Sequence, residues 1–292
     1  LDRKSIEWEY FLNPFGKAII FVAEYKNEFI GMTVCIPLKF QNNTKTYNGF
    51  RVQDAITDIN FIRRKLRSGI KIPRKEGTGI FPNLIKINND FLDKNSEISI
   101  GFANEKALPF WERNNWIGLC EIPLILKTID KNQEFQCEYN SIKKFTNIHE
   151  DIWRENINDK LDIIWTKEYS NWRYVLNPKS NYKIFEIKNN SKVIGYIVLK
   201  KYELEDKTKV GHICQIVCHD NYIKDSVNFA NNYFFNLSTK NLTMWRINDE
   251  SLFFNDLGFK KITLKNKKFI YKGKKPCNKS SWNLSMSYSD IY

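Results

Sequence analysis

Short apolar-rich runs at residues 18–24, 28–38 and 50–57, the last alternating through Phe50-Arg51-Val52-Gln53, predict three strands. The polar turn Tyr25-Lys26-Asn27-Glu28 joins the first two into a hairpin. The period then changes. Ile80, Leu84, Ile87 and Phe91 fall on one helical face, which predicts a helix over residues 80–92. A strand at 97–102, a helix at 104–113 and a strand at 116–125 complete the first half. Upstream, a short helical piece ends at Pro14. The second half predicts a strand at 135–139 and a helix at 147–156, then strands at 182–188, 192–202 and 210–218. A helix at 224–237, a strand at 242–247, a short helix and strands at 259–264 and 269–272 finish the chain. Hairpins followed by strand–helix–strand units predict an α/β fold with a mixed sheet in each half.

The pattern repeats. Trp8-Glu9-Tyr10-Phe11-Leu12-Asn13-Pro14 matches Trp172-Arg173-Tyr174-Val175-Leu176-Asn177-Pro178 in five of seven residues, at an offset of 164. Ile30-Gly31 and Ile194-Gly195, each after a strand and a turn, keep that offset. Arg113-Asn114-Asn115-Trp116 corresponds to Asp256-Leu257-Gly258-Phe259, where the offset has fallen to 143. A repeat this long implies a duplicated domain, since solenoid periods are much shorter. The apolar pattern breaks at Lys127-Thr128-Ile129-Asp130-Lys131-Asn132, so the expected domains are residues 1–130 and 131–292. The first copy has no counterpart of the strand and helix at 135–156, so a further N-terminal segment is expected to precede it.

Between the third strand and the helix at 80 lies Arg74-Lys75-Glu76-Gly77-Thr78-Gly79, an R-x-x-G-x-G turn opening a helix. Such a turn directs unpaired backbone N–H groups and the positive helix end at one point, an arrangement suited to phosphate. Glycine lets a ligand approach the backbone closely. The other reading is an ordinary loop with two turn glycines. The net charge of +13 is concentrated here: Arg63, Arg64, Lys65, Arg67, Lys71, Arg74 and Lys75 lie together without an acid. A polyanionic small ligand, nucleic acid or an anionic membrane face would each suit that charge. The second copy has Cys218-His219-Asp220-Asn221-Tyr222 at the matching place and no glycine loop. No apolar run is long enough for a membrane helix. The six cysteines form no C-x-x-C pair, which reads as reduced thiols and a cytoplasmic location. His212, Cys214, Cys218 and His219 lie within an alternating strand and its end, so core positions are expected there and no metal.

The order of strands, the Arg74–Gly79 turn and the stretch Gly101-Phe102-Ala103-Asn104-Glu105-Lys106-Ala107 through Trp116 resemble the GNAT acyltransferase superfamily. W-x-Y-x-x-N-P, G-I-F-x-x-L and the tail from Trp282-Asn283-Leu284 to Ser289-Asp290 are similar to bacterial tandem-GNAT proteins tied to surface-polysaccharide genes. The resemblance implies two tandem GNAT-like domains, the second degenerate. It implies acetyl-CoA or another acyl-CoA as donor and a primary amine, plausibly an amino sugar, as acceptor. Backbone N–H groups of Lys75, Glu76, Gly77, Thr78 and Gly79, with Arg74, would hold the pyrophosphate. The pantetheine arm would pair with the strand ending at Thr57, and Asn104 would lie beside it. Trp8, Tyr10 and Asn13 occupy the place of the acceptor pocket. The family's phenolic acid is replaced by Trp111 and Phe254, neither of which can give a proton to a thiolate.

Amide formation also needs a base, and Asp54 and Asp58 near the donor strand's end are the candidates. Strict alternation would put Asp54, Ile56 and Asp58 on one face and Gln53, Ala55 and Thr57 on the other; either acid could instead be simply solvated. Trp8 and Tyr10 recur as Trp172 and Tyr174 in the copy without a donor loop, which fits a core role equally. The expected function is an N-acyltransferase with a small-molecule amine as partner and neither a membrane span nor nucleic acid. Two alternatives stand beside it: a Fem-type transferase using aminoacyl-tRNA, which the positive charge would suit, and a non-catalytic degenerate GNAT module.

Overall fold

The computed structural model describes residues 2–43, 45–67, 79–157, 159–179, 181–204, 206–246, 251–274 and 277–289. Helix α1 (Arg3–Ile6) runs on as a π-helical turn (Glu7–Phe11) into strands β1 (Ile19–Tyr25), β2 (Glu28–Gln41) and β3 (Thr46–Thr57). Then come α2 (Ile59–Arg67), α3 (Ile80–Asn95), β4 (Ile98–Asn104), α4 (Leu108–Glu112) and β5 (Ile117–Thr128). The second half holds β6 (Glu138–Ile142), α5 (Asn147–Asn156), β7 (Asp162–Ile163), α6 (Lys167–Ser170), a π-helical turn (Asn171–Val175) and β8 (Tyr182–Asn189). It ends with β9 (Lys192–Glu203), β10 (Lys209–Cys218), α7 (Ile223–Phe235), β11 (Asn241–Trp245), α8 (Ser251–Asp256) and β12 (Lys260–Gly273).

All twelve strands described join one mixed sheet, ordered β1-β2-β3-β4-β12-β5-β11-β10-β9-β8-β6, with β7 added beside β2. The neighbours pair antiparallel except at β3–β4 and β10–β11, which are parallel. The long strands β5 and β12 lie side by side at the centre, and each also borders the other half: β5 pairs β11, and β12 pairs β4. The two halves therefore share one continuous sheet.

Local geometry recurs at the offset seen in the sequence. Asp2 accepts the Ser5 N–H at 2.9 Å to start α1, and Thr166 accepts the Tyr169 N–H at 3.1 Å to start α6. The hairpin tips Lys26-Asn27 and Asn190-Ser191 all have positive φ, 50° and 64° against 48° and 64°. This is the two-residue turn whose twist matches antiparallel strands. The repeated tryptophans meet face to face: the Trp8 and Trp172 rings stack with centroids 4.7 Å apart. The Trp8 indole donates to the Trp172 carbonyl at 2.8 Å, and Trp172 donates back to the Trp8 carbonyl at 3.0 Å. Two large rings thus bury without an orphaned N–H.

Helices cover both faces of the sheet. On one face α3 sets Ile85 and Leu92 over Cys35 and Val52, and α7 sets Val227, Ala230 and Phe234 over Ile197, Leu199 and Ile213. On the other, Tyr10 covers Val34 and Ile36, while α5 brings Ile152 and Trp153 into a large cluster with Tyr196, Val198 and Cys214.

Four segments differ from the alternation pattern. The strand expected at 135–139 starts at Glu138, because Gln136 and Cys137 donate their N–H groups to the Asp225 carboxylate at 2.6 and 3.0 Å. The helix expected from 104 starts at Leu108, after a turn in which Asn104 Oδ1 takes the Ala107 N–H at 2.9 Å. The strands at 259–264 and 269–272 are one strand, β12, with a register shift against β5 between Leu264 and Lys268. The basic stretch is helical over Ile59–Arg67, with Arg63 and Arg64 exposed, and its continuation through residues 68–78 lies outside the described residues.

The C-terminal tail is built into the core: Trp282, Leu284, Met286 and Tyr288 are buried. Tyr288 O–H and Trp165 N–H donate to Asp162 Oδ1 at 2.8 and 3.1 Å, and Asn283 donates to Oδ2 at 2.8 Å. Burial outweighs these bonds and pushes the Asp162 carboxyl up from 3.8 to about 6. With the folded value above the unfolded one, its contribution to stability is complete below the unfolded value and is lost as pH rises through about 6. Relative to Asp162→Asn, the wild type should therefore lose about 3 kcal/mol between roughly pH 4 and 6. Urea unfolding of both proteins across that range checks this; a constant difference would mean that the carboxyl is not desolvated.

Candidate functional site

Parallel pairing of β3 with β4 runs from Gly49–Ile98 to Val52–Gly101. The strands start very close: a Cβ on Gly49 would lie 2.0 Å from the Ile98 carbonyl oxygen. Pairing then stops, although β3 continues to Thr57 and β4 to Asn104. Among the described residues, the edge of β3 that faces β4 has no strand partner over residues 53–57. Such an edge can take an extended ligand as an added strand, through alternating N–H and C=O groups.

A bulge lies at the same place. Met32 pairs Ile56 and Val34 pairs Gln53, so Asp54 and Ala55 together oppose Thr33. Asp54 has φ of 49°, in the left-handed region that aspartate tolerates better than most residues. The extra residue overturns the strict alternation expected from the sequence. Gln53 and Asp54 side chains meet on one side, with Gln53 Nε2 donating to Asp54 Oδ2 at 3.1 Å. The Tyr10 hydroxyl donates to the same Oδ2. Among the described residues Asp54 Oδ1 has no hydrogen-bond partner. Burial, and next the Asp54 carboxylate, hold the Tyr10 phenol far above its usual range, so it stays protonated. The end of the divergence thus carries a carboxylate with one oxygen open and the other bonded to a phenol.

The remaining sequence candidates fall in several places. Thr57 pairs Gly31 at the far end of β3. Asp58 Oδ1 accepts the N–H groups of Asn60 and Phe61 at 2.8 and 3.0 Å and so caps α2. Asn104 stands at the end of β4, its side chain capping the following turn. Gly79 is the N-cap of α3. Arg74, Lys75, Glu76, Gly77 and Thr78 lie outside the described residues. Trp8 is buried against Trp172. Asn13 is buried too, accepting from Phe15 N–H and donating to the Pro37 carbonyl. Of the three acceptor-pocket candidates, only Tyr10 turns its polar group to the divergence. Trp111 and Phe254 are core residues, packed against Trp116 and Phe259.

Strands β10 and β11 diverge in the same manner. Pairing ends at His212–Thr243, while β10 runs to Cys218 and β11 to Trp245. A cavity of about 250 Å³ lies here, lined among others by Gln215, Asp220, Arg246, Asn283 and Ser285. The tail closes on it: Ser287 Oγ donates to the Cys214 carbonyl at 2.9 Å. Tyr174, 164 residues after Tyr10, donates to Gln215 Oε1 at 2.8 Å and also bonds Ser287. The His212 ring bonds Thr243 Oγ1 at 2.5 Å, and burial lowers its pKa to about 4. Burial raises the thiols of Cys214 and Cys218 to about 12. Among the described residues no group of three His, Cys, Asp or Glu side chains could hold a metal ion.

Three features escaped the sequence. The bulge at Asp54 carries no composition signal, and the Tyr10–Asp54 bond joins positions 44 residues apart. Arg51 likewise pairs with Glu9 at 3.0 Å, both side chains buried, and donates to the Tyr288 carbonyl at 3.1 Å.

The architecture is shared with solved acyltransferase structures. A GCN5-related N-acetyltransferase from Anabaena variabilis superposes with a TM-score of 0.66 over 92% of this chain, at 11% identity. The fold is GNAT-like. A conserved protein from Enterococcus faecalis V583 gives 0.61 over 87% of the chain at 10% identity. An N-myristoyltransferase from Saccharomyces cerevisiae, solved with bound myristoyl-CoA and inhibitors, gives 0.57 over 94% at 11% identity. The chain spans 64% and 62% of the Anabaena and Enterococcus structures and 72% of the yeast one. No model of a protein family matches the sequence, and no curated protein matches it. Among the described residues no helix is long and apolar enough to cross a membrane.

Proposed function

We propose that this chain is an acyl-CoA-dependent N-acyltransferase whose donor site is the divergence of β3 and β4. The observation that carries this is the edge of residues 53–57, unpaired among the described residues, beside an Asp54 carboxylate oxygen that has no partner among them. The pantetheine arm lies along that edge, hydrogen-bonded as a strand would be. Backbone N–H groups of Lys75–Gly79 hold the pyrophosphate, with the basic residues before them steering the polyanion. Asp54 accepts the proton that the acceptor amine loses on attacking the thioester, while Asp58 shapes the start of α2. The acceptor is a small primary amine, and the likeness to tandem proteins of surface-polysaccharide genes favours an amino sugar with acetyl as the acyl group. The six free thiols suit the reducing cytoplasm, where acyl-CoA is formed.

The chain is read as a duplicated GNAT-like unit, divided near residue 130, with its last strands exchanged at the sheet centre. The second unit is degenerate: it lacks the glycine turn, and its divergence is lined by the protein's own tail and by Asp220.

Acetyl-CoA at about 100 times its dissociation constant should stabilise the fold by about 2.7 kcal/mol, since it binds only the folded state. That is a rise in melting temperature of roughly 5 °C for a chain of this size. Calorimetry should give one site per chain. Gly77→Asp, which sets a side chain and a negative charge against the phosphates, should remove both signals with a native circular dichroism spectrum. Two equal sites would sink the degenerate-unit reading, and unimpaired binding by the variant would remove the phosphate-loop assignment.

A further inference from the structure

The second half keeps the opening between two parallel strands without a glycine turn beside it. Beyond His212–Thr243 the strands part, and the cavity of about 250 Å³ lies among β10, β11, α5 and the C-terminal tail. That volume is too small to enclose acyl-CoA. It falls just under the range of pockets for drug-sized ligands, about 300–1,000 Å³, and so suits a single small ring. In the order of the sheet, β4, β12, β5 and β11 stand between this cavity and the β3 edge.

The polar lining comes from three elements. On β10, Gln215 is 5% exposed, and Tyr174 holds its amide oxygen at 2.8 Å. Among the described residues the Gln215 amide nitrogen has no hydrogen-bond partner. At the end of α5, Asn156 donates its nitrogen to the Ile152 carbonyl at 2.8 Å. On the tail, Asn283 donates its nitrogen to Asp162 at 2.8 Å. The side-chain oxygens of both asparagines have no partner among the described residues. Ser285 adds a hydroxyl, and Trp153 and Trp245 form part of the apolar wall. A buried donor without a partner costs free energy that a ligand's hydrogen bond recovers.

We propose that this cavity is a binding site for a monosaccharide ring. A hydroxyl-rich ring needs donors and acceptors together, because each hydroxyl gives one hydrogen bond and accepts others. Carboxamides and a serine provide both kinds of group without adding a charge. The ring hydroxyls meet the Gln215 nitrogen and the oxygens of Asn156 and Asn283, and the C–H face of the ring lies on the tryptophan wall. Lys160, Arg246 and Asp220 also line the cavity, so charges of both signs border it and no net charge on the sugar is required. An apolar ligand would instead bury the carboxamides unpaired. The first half offers a comparison. Gln215 pairs Val198 as Gln53 pairs Val34, each just past a bulge. Gln53 donates to the Asp54 carboxylate of its bulge, whereas the bulge of β10 holds Cys214. The two openings thus carry different chemistry.

The test titrates the full chain, without acyl-CoA, with glucose, galactose and glucuronate in turn. None of the three has an amine, so none can act as an acylation acceptor. Calorimetry into the millimolar range should show saturable binding of at least one sugar, at one site per chain. Gln215→Leu, which removes the buried donor, should weaken that binding about tenfold or more. Ser285→Phe, which sets a ring into the cavity, should abolish it. Circular dichroism checks that each variant is folded; should both fail, Asn156→Ala, at the half-buried end of α5, should still weaken binding severalfold. Absence of saturable binding for all three sugars overturns the proposal. So does affinity left unchanged in every folded variant, which would place the sugar elsewhere. Failure of the wild type to bind acetyl-CoA is a separate result, which removes the acyltransferase reading and leaves this site standing.

Discussion

Asp54→Asn is expected to lower the turnover of acyl transfer by about 10²- to 10⁴-fold while leaving acetyl-CoA binding unchanged. The size follows from what the substitution removes. Asparagine tolerates the left-handed backbone that Asp54 adopts, so the bulge should persist. It keeps an oxygen that Tyr10 and Gln53 can reach. It loses the ability to hold a proton, which is the role assigned to the open Oδ1. On the proposed reading, donor affinity comes from the β3 backbone edge and the glycine turn, and the substitution changes neither. Steady-state kinetics with any amine the wild type accepts, paired with acetyl-CoA calorimetry, checks both halves. Asp58→Asn is the control, since its carboxylate caps a helix. If Asp58→Asn costs the larger factor with the fold intact, the base has been misassigned. A variant Asp54→Asn with normal turnover would move the chemistry away from the bulge.

Trp172→Ala should destabilise the protein by about 3–5 kcal/mol, the usual cost of removing a large buried aromatic. Trp172 is 2% exposed, so the site has little freedom to fill with solvent. It stacks on Trp8 and donates to the Trp8 carbonyl, and both contacts go with the ring. Trp8→Ala should cost a similar amount. The two losses should not add, because the stacked contact vanishes with either ring and can be lost only once. Urea unfolding of both single variants and the double variant measures that coupling. Strict additivity would mean that the rings act independently and that their contact does not tie the two halves together. A full range of 3–5 kcal/mol is a large part of a typical domain's stability, so the variants are best compared at low temperature.

Much of this molecule was open to inspection in the sequence. Short apolar-rich runs bounded by polar turns marked the strands, because a strand packed in a sheet must bury apolar side chains within a few residues. The 3.6-residue period set α3, and Lys26-Asn27 set the first hairpin, because local backbone preference suffices for a two-residue turn. The offset of 164 residues was visible in letters alone, and it returns as the two caps, the two π-helical turns and the pair Trp8–Trp172. What the letters did not contain is which strand of one half lies beside which strand of the other. The exchange of β5 and β12 depends on long-range pairing, and a period-two pattern fits any neighbour equally well. The bulge at Asp54 was hidden for a related reason: one extra residue changes the face of every later side chain without changing composition. Only the folded chain carries Tyr10 across 44 residues to that carboxylate, and only there does an aromatic residue of the repeat differ from its twin Tyr174. Proximity between distant residues is a property of the packed sheet, and the candidate chemistry rests on it.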